Sequence, residues 1–242
     1  MSSDSEEETV QSRSKRLRKD ESLRSREGRC LIVVLEQAQL ETAKIGSNYE
    51  LLNSDRHASY LKKHHKDPAD YRPDITHQCL LMLLDSPLNR SGLLRIFIHT
   101  SRNVLIQVSP QTRIPRTFDR FAGLMVQLLH KLSIRAMDSP ERLLKVIKNP
   151  VEDHLPLGCR KFCLSVHTER RLDVNDLSGS DADSGNIKSL NEPIVMVVGA
   201  MARGKISVDY TEADLKLSDL PLSAALACAK LCGRFEDHWG IT

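Results

Sequence analysis

"PIVMVVGAMARGK", Pro193 to Lys205, is an apolar run that stops abruptly at a turn bounded by two glycines. A strand buried on both faces reads as such a continuous β-branched stretch. Gly199 and Gly204 leave no bulky side chain at either end of the turn, so a ligand could approach the backbone closely. In open α/β sheets ligands gather where strands end in this way. A simple tight turn fits the same glycines. The spacing is not a complete phosphate loop, because Gly204 is followed by Lys205 and Ile206 where the Walker motif requires Ser or Thr.

Outward from this strand the chain alternates between strand and helix patterns. "CLIVVLE", Cys30 to Glu36, is a second run suited to burial on both faces. A polar, mixed insertion is expected over about 41–71. Arg72 to Gly92 then carries a helix that ends near Ser86, ahead of Pro87, with Asp74 as a candidate cap. "LLRIFIHT" and "NVLIQVSP" read as two strands joined by a polar turn, and "RLLKVIKNP" as a further buried segment. Residues 168–192 are polar and read as a surface loop. "ISVDYTE" with "LKLS" suits a short hairpin, and Leu222 to Glu236 a last helix with Pro221 in its first turn. The class is therefore α/β with a largely parallel sheet. Strand ends at Lys148 to Pro150, Val197 to Lys205 and Leu217 to Ala225 are the places to look for chemistry.

"QTRIPRTFDRFAGL", Gln111 to Leu124, spaces Arg113, Arg116 and Arg120 three and four residues apart. If Pro115 opens a helix, the three guanidinium groups share one face, opposite an apolar stripe from Phe118 to Leu132. Arginine suits bidentate phosphate binding. A solvated surface paired with Asp119 is the competing reading.

Composition limits the choices. A net charge of +3 over 242 residues is no bulk polycation, so any nucleic-acid contact comes from a local patch. With aromatics at 4%, stacking platforms of the RRM or OB type are disfavoured. No apolar run has the length of a bilayer span, and "MSSDSEEETV" lacks the features of a signal peptide, so an intracellular protein without a membrane partner is expected. Residues 1–28 carry an acidic block and then the basic "SRSKRLRK", the composition of a disordered tail with a weak nuclear-import signal. The six cysteines include two CxxxC pairs, Cys159 with Cys163 and Cys228 with Cys232. Reduced core thiols explain them better than a four-thiolate zinc site, and no metal is expected.

Several long stretches together carry a resemblance: "RPDITHQ", "DSPLNR", "PQTRIPRTFDRF", "GLMVQLLHKL", "LLKVIKNP", "VVGAMARGK" and "PLSAA". From Arg29 to Thr242 the chain resembles the ribosome-biogenesis pseudouridine N1-methyltransferases of the SPOUT, or α/β-knot, class. The resemblance implies one domain over 29–242 with a C-terminal trefoil knot, an exception to the rule that chains do not thread loops. It implies S-adenosylmethionine as cofactor, held by Val174, Gly199, Gly204, Leu217, Ser218, Asp219, Leu220, Pro221 and Leu222. Leu220 departs from the family, which usually has an aromatic there. Arg72, Arg113, Arg116 and Arg120 are implied to bind small-subunit ribosomal RNA, with Asp74 holding Arg72 in place. A homodimer, other small-subunit assembly factors as partners and a nucleolar location follow from the same resemblance.

The implied reaction places a methyl group on N1 of a pseudouridine. N1 must lose its proton to attack the sulfonium methyl, so a cation near the base would help, and Arg72 is the candidate. Asp74 is the weaker choice for a direct base, since a carboxylate paired with arginine is poorly suited to accept a proton. An RNA-binding assembly factor whose essential role is non-catalytic is the alternative. A nucleotide-hydrolysing enzyme is disfavoured by the incomplete phosphate loop.

Overall fold

The computed structural model describes residues 28–137, 140–177 and 192–242. Most of residues 1–28, with its expected disorder and import signal, lies outside them, as does residues 178–191 of the polar loop.

The core is β1 (Leu31–Ala38), whose residues are all buried except Gln37. Alternate residues serve two cores, as the pleat requires. Leu31, Val33 and Leu35 join one cluster; Cys30, Ile32 and Val34 join another. After β1 the insertion folds as a hairpin, β2 (Thr42–Ile45) with β3 (Asn48–Leu51), followed by α1 (Ser54–Lys63) and a 3-10 turn, Pro68–Asp70. Then come α2 (Pro73–Asp85), the single turn α3 (Pro87–Arg90), β4 (Leu94–Thr100), β5 (Leu105–Val108) and α4 (Phe118–Lys131). The chain continues through β6 (Ser133–Arg135), β7 (Arg142–Ile147), β8 (Arg160–Leu164), β9 (Ile194–Gly199), β10 (Ala213–Leu215) and α5 (Ala224–Trp239).

The main sheet runs β10-β8-β9-β1-β4-β5-β7-β6. The first five strands are mutually parallel, and β5, β7 and β6 extend the sheet antiparallel. The largely parallel expectation therefore holds for the half that carries the glycine turn. Helices α2, α4 and α5 cover one face through Leu80, Leu83, Phe121, Met125, Leu231 and Phe235. The other face is closed by Val151, Cys159 and the segment Ile206, Val208 and Tyr210.

Six local expectations need correction. The arginine helix starts at Phe118 with Thr117 as its N-cap, so Arg113 and Arg116 precede it and only Arg120 lies on it. The preceding segment is pinned as non-helical chain: His77 Nε2 meets the Pro115 carbonyl oxygen at 2.7 Å, and Thr112 Oγ1 donates to the Leu143 carbonyl at 2.7 Å. A residue before proline also disfavours helix, and Ile114 is buried instead. At the other end Leu132 leaves the stripe; it is an exposed left-handed C-cap with φ +60°. Asp74 is not a cap, because Arg72 occupies the N-cap position and Pro73 follows it.

The last helix starts at Ala224, where Ser223 Oγ accepts from the Leu226 N–H at 3.2 Å, so Pro221 stays outside it. The expected hairpin after Lys205 is absent among the described residues. Ile206, Val208 and Tyr210 spend their alternation on the second core, while β10 adds to β8 as a parallel edge. The polar loop is more ordered at its start than its composition indicates: Leu172, Val174 and Leu177 are buried, and Arg171 bridges to Lys216.

Candidate functional site

Three strand ends form one cleft. Leu164 to His167 follow β8, Val198 to Ile206 follow β9, and Leu217 to Ala227 follow β10, and all three segments contribute to its lining. Of the expected cofactor residues, Gly199, Gly204, Leu217, Ser218, Leu220 and Leu222 line it. Asp219 and Pro221 belong to the same segment without lining the cleft. Val174 does not line it; it is 5% exposed and packed in the helix-side core.

The glycines serve different ends. A Cβ on Gly199 would sit 3.2 Å from Ile206 Cγ1 and 3.4 Å from Met201 Cε, side chains that themselves line the cleft. Gly204 has φ +104°, which L side chains rarely adopt. The opposite wall is fastened by side chains. Ser218 Oγ accepts from the Leu220 N–H at 3.1 Å, and Arg234 on α5 donates to the carbonyls of Leu172 at 2.7 Å and Leu217 at 3.4 Å. Asp219 pairs with Lys216 and Arg171, and the Lys216 ammonium beside it holds its carboxyl below the usual range.

Apolar walls from Leu164, Val198, Leu217 and Leu222 suit a flat heterocycle such as adenine, and the missing side chain at Gly199 lets Ile206 and Met201 pack closely enough to shape that wall. The residues present thus fit S-adenosylmethionine. The cleft measures about 230 Å³, below the usual span of small-molecule sites, so a ligand as large as S-adenosylmethionine would extend beyond it toward a second substrate. Met201 and Arg203 also line it, within the Val197 to Lys205 strand end that the sequence marked without giving either a role, and so do Val166 and His167, which the sequence did not mark. The signal for Met201 and Arg203 was their place between the two glycines.

The arginines divide into two groups. Arg72 lies at the start of α2 and grips Asp74 with two parallel bonds, Nε to Oδ1 at 2.8 Å and Nη2 to Oδ2 at 2.7 Å. This pairing raises the Arg72 pKa and sets the plane of its guanidinium. Arg116 instead pairs with both oxygens of Asp85, the last residue of α2. Thirteen residues of helix separate the two, a rise of about 20 Å. Asp119 pairs with Arg56 at 2.7 Å and not with the three arginines.

Arg113 and Arg116 line a groove of about 1380 Å³ together with Arg29, Arg90, Arg95, Arg142 and Lys145. Asp85 and Glu141 are its only acidic lining residues among those described. That volume exceeds the usual span of small-molecule sites and suits an extended anionic partner. Arg120 stands exposed in the first turn of α4. Cys159 and Cys163 lie on one side of the sheet and Cys228 and Cys232 on the other, so the two CxxxC pairs cannot share one metal.

A family model described as EMG1/NEP1 methyltransferase matches residues 33–236. The chain is 61% identical over 214 residues to a Mus musculus protein named ribosomal RNA small subunit methyltransferase NEP1, covering 88% of this chain and 84% of the relative. It is 55% identical over 227 residues to the Caenorhabditis elegans ribosomal RNA small subunit methyltransferase nep-1, covering 94% of each. A crystal structure of Archaeoglobus fulgidus Nep1 bound to S-adenosylhomocysteine superposes with a TM-score of 0.67 at 23% identity, covering 88% of this chain and 99% of that one, and so shares the fold. With the family model spanning the sheet, both clusters of arginines and the cleft, the chain belongs to the EMG1/NEP1 methyltransferase family.

Proposed function

We propose that this protein transfers a methyl group from S-adenosylmethionine to N1 of a pseudouridine in small-subunit ribosomal RNA. The observation that carries the reading is the single cleft formed by the ends of β8, β9 and β10, which gathers Gly199, Gly204 and the Leu217–Leu222 segment. Relatives named as small-subunit ribosomal RNA methyltransferases at 55–61% identity support the substrate class. S-adenosylmethionine supplies an electrophilic methyl.

The chain's own residues do the rest. The groove lined by Arg113 and Arg116 holds phosphate oxygens, which fixes register without reading sequence. Arg72, held in plane by Asp74, lies beside the target base and stabilises negative charge as N1 gives its proton to solvent water. The base must leave its stack to reach the cleft. Uridine has its glycosidic bond at N1 and no proton there, so it is not a substrate.

A homodimer acting with other small-subunit assembly factors in the nucleolus, with the C-terminal segment threaded as a trefoil knot, completes the proposal. Met82 on α2 and Leu226 on α5 are 42% and 45% exposed on two helices that pack together, an apolar surface suited to a second copy. The groove's distance from the start of α2 favours a second reading, an assembly factor that needs binding more than catalysis.

Methyl transfer from labelled S-adenosylmethionine to stem-loops differing only in uridine or pseudouridine at the loop target tests the proposal. Labelling of the pseudouridine RNA alone is expected. Equal labelling of both refutes N1 specificity, and no labelling with tight binding favours the assembly factor.

A further inference from the structure

Arg203 lies in the turn between Gly199 and Gly204 and lines the cofactor cleft, yet its guanidinium reaches out of the loop to a distant part of the chain. Nε donates to Asp70 Oδ1 at 2.6 Å and Nη2 to Asp67 Oδ2 at 2.5 Å. Both carboxylates belong to the 3-10 turn that ends the insertion. Asp67 is fixed as the cap of that turn, its Oδ1 accepting from the Ala69 N–H at 3.0 Å. Asp70 is tied forward: its carbonyl accepts from the Arg72 N–H at 3.0 Å. Between them Tyr71 is buried and donates its hydroxyl to Glu41 at 3.0 Å.

The chain from Asp70 to Arg72 is therefore short and held at each residue, and it connects the cofactor loop to the arginine beside the target base. The loop needs an outside tether. Its last backbone hydrogen bond to the sheet is from the Ala200 N–H to the Glu36 carbonyl at 2.8 Å, and Gly204 beyond it is permissive in φ. Stability is a poor explanation for the tether, since the three side chains are 58%, 52% and 42% exposed and exposed ion pairs contribute little to folding.

Resting on the methyltransferase reading, we propose that Arg203 is a positioning residue that couples the cofactor cleft to Arg72 through Asp67 and Asp70, so that a filled cleft favours the arrangement that binds RNA. Whatever a ligand does to the Gly199–Gly204 turn is passed to the Asp67–Asp70 turn, and two residues later to the Arg72–Asp74 pair. By linkage the effect is mutual: RNA on Arg72 tightens the cofactor to the same degree.

The test is calorimetric titration of the full chain with a pseudouridine stem-loop, without and with saturating S-adenosylhomocysteine. The readout is the factor by which the second ligand changes the affinity for the first. Because it is a ratio taken within each variant, a general loss of stability or a shift in one affinity alone cancels. Wild type is expected to show about tenfold tightening, within the usual range of such couplings. Arg203→Ala, and separately Asp67→Asn with Asp70→Asn, should each bring the factor close to one, and all three changes together should remove nothing more. Arg203→Lys, which lacks the fork, should keep an intermediate factor.

Wild-type coupling retained in Arg203→Ala overturns the proposal. So does a wild type that binds both ligands with no coupling. A wild type that binds neither ligand overturns the methyltransferase reading on which the proposal rests.

Discussion

At the scale of the residue, most of what counts is a side chain held by a partner far away in sequence. Gly204 is an exception, since its φ of +104° is a local demand. Gly204→Ala should weaken S-adenosylhomocysteine binding by about tenfold, the equivalent of a strain of about 1–2 kcal/mol concentrated in the loop, as titration calorimetry would read. Asp74→Ala separates two roles that sequence left open. With no capping bond to lose and a half-exposed ion pair, it should cost under about 1 kcal/mol in denaturant unfolding while releasing Arg72 and weakening RNA binding. A cost of about 2 kcal/mol would return Asp74 to a structural role.

Glu36 gives the pH test at this scale. It is 2% exposed beside His99, Tyr210 and Cys163, and burial pushes its pKa up. A raised folded-state pKa means that its contribution is fully present below the unfolded value near 4.5 and is lost as pH rises through the folded value. Urea unfolding of wild type against Glu36→Gln should therefore show the variant gaining relative stability from pH 4 to pH 7. A constant difference across that range would contradict the burial argument.

At the scale of the element, legibility followed the range of the forces. The continuous apolar runs of β1 and β9 announced central strands because burial on both faces leaves a direct mark on composition. Gly199, Gly204 and the Leu217–Leu222 segment were legible as a ligand site mainly through resemblance, and the structure gathers most of them into one cleft. The start of the arginine helix was not legible. Pro115 is a fair local signal for a first turn, but its carbonyl is taken by His77, thirty-eight residues earlier in the chain, and that bond decides the conformation. The division of Arg72 from Arg116 was hidden for the same reason, since Asp85 meets Arg116 only through tertiary packing. Val174 sat in polar sequence, yet it is core. For the last helix the Ser223 cap prevailed over Pro221, so Ser223→Ala should cost about 1 kcal/mol in thermal unfolding, whereas Pro221→Ala should leave helix stability unchanged.

At the scale of the whole molecule, the parallel half of the sheet builds the cleft and the antiparallel half helps to build the basic groove, with α2 spanning the distance between Arg72 and Asp85. If α2 and α5 meet a second copy through Met82 and Leu226, Met82→Glu should shift sedimentation from dimer to monomer; an unchanged dimer would place the interface elsewhere. The central claim is that the glycine-bounded cleft is where methyl transfer to RNA happens. Its most direct test is the rate of labelling of a pseudouridine stem-loop by wild type and by Gly199→Val, with RNA affinity measured in parallel. The account predicts that Gly199→Val, whose side chain must displace Ile206 and Met201, loses transfer by at least a hundredfold while binding RNA, measured without cofactor, within about threefold of wild type, an affinity change below 1 kcal/mol. Transfer at the wild-type rate by a variant that binds RNA normally would show that the methyl group comes from somewhere else.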